Sequence, residues 1–178
     1  QPGSTFKPFV YGAALLNGAL PTDQLMDEAV SIPVPGSAPW RPTDGGPPSN
    51  QPMTLADGLA YSKNTITAQV MVKVGPAKVA KLARSLGVRE SKLEEVLSLA
   101  LGTSPVTLQE MVSAYGTLAN GGAYRAPIMV TRITNREGKV LAEFEPPEAE
   151  LALDNGVDYA LIDMMRGVIT KGTGKGVA

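Results

Sequence analysis

The chain is 178 residues long, about one domain, with 43% hydrophobic residues, enough for a core, and a formal net charge of -1. It contains no histidine and no cysteine, which excludes Ser-His-Asp and Cys-His catalysis, His/Cys zinc sites and disulfides, and its charge gives no basis for nucleic-acid binding. No apolar run approaches the roughly 18 residues that cross a bilayer, no signal peptide is visible, and the residues call for no cofactor and no metal.

The first predicted element is a helix from about Ser4 to Asn17, ended by Gly18. Residues Pro8 to Leu16 carry no charge, and a helix apolar on all sides is usually buried. Ser4 and Lys7, three residues apart at its start, share a face and can share a proton, as a nucleophile and its base do. Burial disfavours the ammonium and lowers a lysine pKa toward the range of a general base. The plainer alternative is a helix-capping Ser4 and a Lys7 whose amine snorkels to water.

From Ala29 to Met53 the chain holds seven prolines and three glycines, a density that excludes a helix or a central strand. Trp40 in the middle predicts an ordered loop folded back on the body rather than a linker. Thr54 then opens a short helix with Asp57 at the capping position, ending near Tyr61. Ser62-Lys63-Asn64 forms the junction to a second helix from about Thr65 to Val74. Pro76 starts another, with Val79, Leu82, Ala83 and Leu86 on one stripe and Gly87 at its end.

A further short helix is expected over Ser91 to Leu101. The clearest signal follows it: Thr107-Leu108-Gln109-Glu110 is a capping box, and Leu108, Met111, Val112, Tyr115, Leu118 and Ala119 recur at helical spacing until Gly121-Gly122. Ile128 to Thr134 and Lys139 to Glu145 read as two strands joined by Asn135-Arg136-Glu137-Gly138. The last helix begins near Asn155 and should bury Val157, Leu161, Met164, Met165 and Val168. The pattern is α+β, mainly helical with one β-hairpin, and shows no internal repeat.

Without histidine, a serine enzyme must take its base from lysine or a carboxylate. Ser-x-x-Lys alone is weak, since ten serines and nine lysines give chance matches. Ser62 and Asn64 strengthen it. A junction between two short helices can project side chains into a cleft, where Ser62 could relay a proton and Asn64 could hold an amide and fix the lysine. Both residue types also cap helices, so a purely structural junction stays open.

Three ordered blocks carry a family resemblance: Gln1-Pro2-Gly3-Ser4-Thr5-Phe6-Lys7-Pro8, Tyr61-Ser62-Lys63-Asn64-Thr65, and Ser98 to Ser104 with Met111 to Gly122. Over nearly the whole chain they resemble the transpeptidase domain of penicillin-binding proteins, most closely the class A bifunctional type. The resemblance implies the penicillin-binding transpeptidase and serine β-lactamase-like α+β fold, here mainly its helical part with the central sheet largely missing. It implies that Ser4 attacks the D-Ala-D-Ala amide of a peptidoglycan stem peptide and releases the last D-Ala, with Lys7, Ser62 and Asn64 as the rest of the site. A neighbouring stem amine would then form the cross-link, and β-lactams would act as covalent inhibitors.

The family's third motif, Lys-Thr-Gly or Lys-Ser-Gly, is absent. Lys171-Gly172-Thr173-Gly174 has the wrong order and fits better as the turn that closes the last helix. Residues 1–178 are therefore expected to be a partial domain, truncated at both ends, with the third motif about ten to twenty residues beyond Ala178. A glycosyltransferase domain and membrane anchor would lie outside the chain, at the extracytoplasmic face of the bacterial cell envelope. A non-catalytic sensor of β-lactams or cell-wall peptides is the alternative from another class. A serine β-lactamase is less well supported, because no Glu-x-x-x-Asn occurs in the middle region and Glu94-Glu95-Val96-Leu97-Ser98 does not supply it.

Overall fold

The uncharged stretch after Lys7 becomes the centre of the fold in the computed structural model, which describes residues 1–177. A 3-10 turn, Gly3–Phe6, leads into helix α1 (Lys7–Leu16), with Pro8 in its first turn and every residue from Lys7 to Leu15 buried. Phe6 meets Phe9 edge to face at 5.0 Å between ring centres. Strand β1 (Gln24–Met26) pairs antiparallel with β2 (Pro52–Thr54), in register Gln24 to Thr54 and Met26 to Pro52. This two-stranded clasp closes the proline-rich loop at its base. Inside the loop Ile32 and Trp40 exchange two 2.8 Å backbone hydrogen bonds, and Trp40 packs against the core.

Helices α2 (Leu55–Ala60), α3 (Asn64–Val74) and α4 (Pro76–Leu86) follow with short connections. Helix α5 (Leu108–Ala119) starts with the predicted capping box, and α6 (Asn155–Thr170) is capped by Asp154. Helix α1 packs against α2, α3, α4 and α6 and is sheathed on all sides. Burial stabilises each Phe, Val or Leu side chain by about 1.5–3 kcal/mol, so Phe9, Val10 and Leu15 can offset an expensive neighbour.

The structure differs from the sequence pattern in four places. Ser91 to Val96 is not helical, and only Leu97–Leu101 forms a 3-10 turn. Backbone donors in Ser91 to Val96 and just before it are taken elsewhere: Glu90 N and Ser91 N donate to Glu110 Oε1, and Glu94 N donates to Ser104 Oγ. The hairpin is shorter than expected, with β4 (Arg132–Thr134) and β5 (Val140–Glu143) and an irregular register after Ile133. Two further small pairings appear, the β1–β2 clasp and β3 (Ala123–Tyr124) with β6 (Glu150–Leu151). In α6 only Leu161 and Met164 of the five predicted apolar positions are fully buried, while Asp158 is buried with them. Among the described residues no sheet exceeds two strands, so the architecture is α+β with the helices forming the body.

Candidate active site

Ser4 lies in the 3-10 turn, exposed, one helical step before α1, and Lys7 is the first residue of α1. Both line a cavity of about 380 Å³ whose other walls include Leu59, Ser62, Tyr115, Met165, Val168 and Thr173. The Lys7 side chain is only 1% exposed, which removes the snorkelling alternative. Its amine meets three oxygens: Ser62 O, Ser62 Oγ at 2.9 Å and Asn64 Oδ1 at 2.6 Å. Burial pulls the Lys7 pKa down to about 8, opposed by the Asp44 carboxylate and aided by the Lys63 ammonium.

That donor set defines what the amine can do. An ammonium has three protons and finds three acceptors here. A neutral amine keeps two protons and gains a lone pair. Ser62 O and the Asn64 carbonyl can only accept, so Ser62 Oγ is the one of the three that can turn and donate to that lone pair. The deprotonated lysine and the Ser62 hydroxyl thus form a two-member proton path at the cavity wall.

The placement of Ser62 follows from how α2 ends. Ser62 N donates to Leu59 O and Lys63 N donates to Gly58 O, the paired bonds of a Schellman motif. Its C′ position requires a left-handed residue, usually glycine, and Ser62 occupies it at φ +53°. A Cβ-bearing residue there costs roughly 1–2 kcal/mol. The strain aims the hydroxyl and the carbonyl of one residue at Lys7. Asn64, two residues on, is the first residue of α3. Its Oδ1 faces Lys7, and its Nδ2 donates to Thr43 O at 2.7 Å.

The backbone around Ser4 is clamped from the opposite side. Gly102, at φ +67°, lies so close to Gly3 that a Cβ would come within 2.3 Å of Gly3 O, and Gly3 N donates to Gly102 O at 3.3 Å. Tyr115 Oη donates to Thr5 O at 2.8 Å. These contacts give a physical reason for the block Ser98 to Ser104 and for the α5 helix. Lys171-Gly172-Thr173-Gly174 closes α6, as the family resemblance implied: Thr173 N donates to Ala60 O, and a Cβ on Gly172 would lie 2.0 Å from that same oxygen. Lys171 is turned away to pair with Asp57, while Thr173 lines the cavity.

The structure therefore brings Ser4, Lys7 and Ser62 to one cavity and places Asn64 behind Lys7. Sequence reading missed Asp27, Thr43 and Asp44. Asp44 Oδ1 accepts from Asn64 N at 2.6 Å, and Lys63 bridges Asp27 and Asp44 at 3.0 and 3.1 Å. Asp27 and Asp44 lie 36 and 19 residues before Lys63 in and beside the proline-rich segment. Only the two carboxylates themselves, in a stretch poor in charge, could have hinted at a buried cation.

A family model described as penicillin-binding protein transpeptidase domain matches residues 1–178. The chain is 33% identical over its full length to a penicillin-binding protein 1A of Neisseria meningitidis, of which it spans 23%. Its fold is similar to the crystal structure of penicillin-binding protein 1A from Haemophilus influenzae, with a TM-score of 0.91 and 25% identity over 99% of this chain and 32% of that one. It is also similar to penicillin-binding protein A from M. tuberculosis, solved as a ceftriaxone acyl-enzyme complex, with a TM-score of 0.82 and 25% identity over 95% of this chain and 42% of that one. The chain spans about a quarter of the length of the curated relatives it matches.

Proposed function

This chain belongs to the penicillin-binding protein transpeptidase family, and on that premise we propose that it is part of a longer D,D-transpeptidase that cross-links peptidoglycan through an acyl-enzyme on Ser4. The observation that carries the reading is the buried Lys7 amine, in reach of Ser62 Oγ and Asn64 Oδ1, in the wall of the cavity that Ser4 lines. Ser4 Oγ attacks the carbonyl carbon of the penultimate D-Ala, and its proton passes to the neutral Lys7 amine. As the C–N bond breaks, that proton travels through Ser62 Oγ to the departing amine of the terminal D-Ala, leaving an ester on Ser4. An amine of a neighbouring stem peptide then attacks the ester, and its proton returns to Ser4 Oγ by the same path. Asn64 fixes Lys7 through its Oδ1, while its Nδ2 is held by Thr43 O.

A β-lactam opens by the same attack, but its leaving nitrogen stays tethered and the ester persists. The ceftriaxone acyl-enzyme of the M. tuberculosis relative supports this reading. The chain spans 23% of its penicillin-binding protein 1A relative, which leaves room elsewhere in the polypeptide for the glycosyltransferase domain and membrane anchor that the class A resemblance implies, with the site at the extracytoplasmic face of the envelope. No helix among the described residues is long and apolar enough to cross a membrane.

The test is covalent labelling of the full-length protein with a fluorescent penicillin. Wild type should label and Ser4→Ala should not; label that survives Ser4→Ala overturns the nucleophile assignment. Turnover of a D-Ala-D-Ala stem peptide distinguishes an enzyme from a sensor, because a sensor acylates and then releases no further D-Ala.

A further inference from the structure

Lys63 stands between Ser62 and Asn64 and has no part in the transfer chemistry just described. Its ammonium is nevertheless held between two carboxylates, with side-chain exposures of 16% for Lys63, 1% for Asp27 and 13% for Asp44. Asp27, directly after β1, is saturated by Ser49 N at 2.9 Å and Thr65 Oγ1 at 2.7 Å as well as by Lys63. Asp44 reaches out of the proline-rich loop to accept from Asn64 N at 2.6 Å. Because Asn64 Oδ1 in turn accepts from Lys7 Nζ, only one asparagine separates the Asp44 carboxylate from the base.

We propose that Asp44 and Lys63 are positioning residues that form an opposed charge pair setting the proton affinity of Lys7, Asp44 favouring the ammonium and Lys63 the free amine, while Asp44 also holds Asn64 in place. This inference rests on the reading of Lys7 as the general base. The physics is Coulombic: a nearby anion stabilises the charged lysine and a nearby cation opposes it. Both effects act on Lys7 in the expected directions, on top of its burial.

The other groups facing Lys7 leave these two charges to act. Tyr11, one turn along α1, is fully buried against Thr67, and burial pushes its phenol above its usual range, so it is neutral. Tyr115 on α5 is pushed the same way by burial. From α6 the cavity wall receives Met165, Val168 and Ile169, and the Lys171 that follows is paired with Asp57 of α2. The loop that sequence reading treated as packing therefore delivers a charge to the active site. Its prolines and the Ile32–Trp40 bridge stiffen the arm that carries Asp44.

The experiment is the rate of acylation by a fluorescent penicillin against pH, on the full-length protein. The acid limb reports the fraction of Lys7 that is neutral. Asp44→Asn keeps an acceptor for Asn64 N and removes the charge, and should move the midpoint of that limb down by on the order of half a pH unit or more. Lys63→Gln should move it up, and Lys63→Arg, which keeps the charge, should leave it near wild type. Opposite displacements are not produced by a merely structural role, which would lower the rate in both variants at an unmoved midpoint.

Equal midpoints, or displacements of the same sign, overturn the proposal. If Lys63→Gln does not fold, Asp44→Asn against Asp44→Glu decides: the first should move the midpoint down and the second should not. The underlying reading fails separately, if wild type does not label or Ser4→Ala still does.

Discussion

Ser62 occupies a backbone position that a glycine would fill more comfortably, and replacing it separates the strain from the hydroxyl. Ser62→Ala and Ser62→Gly both remove the 2.9 Å bond to Lys7 Nζ, so they share that loss, on the order of 1 kcal/mol. They differ in the Cβ at φ +53°. Relief of a left-handed Cβ is worth roughly 1–2 kcal/mol, and the greater freedom of an unfolded glycine returns about 0.5–1 kcal/mol of it. Ser62→Gly should therefore be more stable than Ser62→Ala by about 0.75 kcal/mol at the middle of these ranges, a difference of roughly 1.5–3 °C in Tm for a domain of this size. Thermal unfolding measured by circular dichroism reads this difference. Acylation by fluorescent penicillin should fall by about 10²–10⁴ in both variants, the usual worth of a positioned acid or base. Equal melting of the two variants, or a less stable glycine variant, would refute the claim that Ser62 is held in strain for its function.

The remaining predictions use other parts of the site. Lys7→Met should abolish labelling, and its stability gap to wild type should depend on pH: the native pKa of about 8 lies below the unfolded value near 10.4, so the wild type carries its full penalty below pH 8 and sheds it as pH rises toward 10.4, reaching about 3 kcal/mol of relative gain in urea titrations. Gly102→Ala should push the Gly3–Ser4 turn aside and lower the acylation rate more than the affinity, which stopped-flow labelling at varied penicillin concentration separates. Asp27 and Glu110 feel burial pushing their pKa up, yet hydrogen bonds from Ser49, Thr65 and Lys63, and from Ser91 and Thr107, hold both at about 2. Both are depressed, so their stabilisation is complete above about pH 4.5 and is lost as pH falls toward 2; Glu110→Gln should flatten part of that fall in a Tm-against-pH series.

The elements that local chemistry dictates were legible. Pro8, Gly18, Pro76, Gly87 and the Thr107 to Glu110 box mark helix ends through backbone rules that act within four residues. The burial of α1 was legible too, because residues Pro8 to Leu16 carry no charge, although whether the Lys7 amine stayed inside or reached water was not. Two kinds of feature were not. The segment Ser91 to Val96 has a helical composition, but Glu110 and Ser104, 10 to 20 residues away, take its donors, and no local pattern announces such competition. The tether of Asn64 by Thr43 and Asp44 spans about 20 residues of irregular loop. Its geometry depends on the β1–β2 clasp, whose three-residue strands are too short to show alternation. The small β3–β6 pair escaped for the same reason, although Arg89, forked on Glu150 and stacked on Tyr124 at 3.7 Å, holds its ends.

Three of the places where local rules fail lie at the candidate site. Ser62 sits where glycine belongs, Lys7 is buried where leucine belongs, and Lys63 is wedged between two carboxylates beneath a proline-rich loop. A left-handed serine and a lysine displaced to a pKa of about 8 together cost about 4–5 kcal/mol, a large part of the 5–15 kcal/mol that holds a domain together. Such features persist only when their surroundings over-determine them. Here α1 is enclosed by four helices, and the Ser4 turn is pinned at Gly3 by Gly102 and at Thr5 by Tyr115. The enclosed core thus fixes Lys7 against Ser62 and Asn64 and pins the backbone on both sides of Ser4, which is what the proposed nucleophile and base require if a lowered lysine pKa is to give a reactive pair.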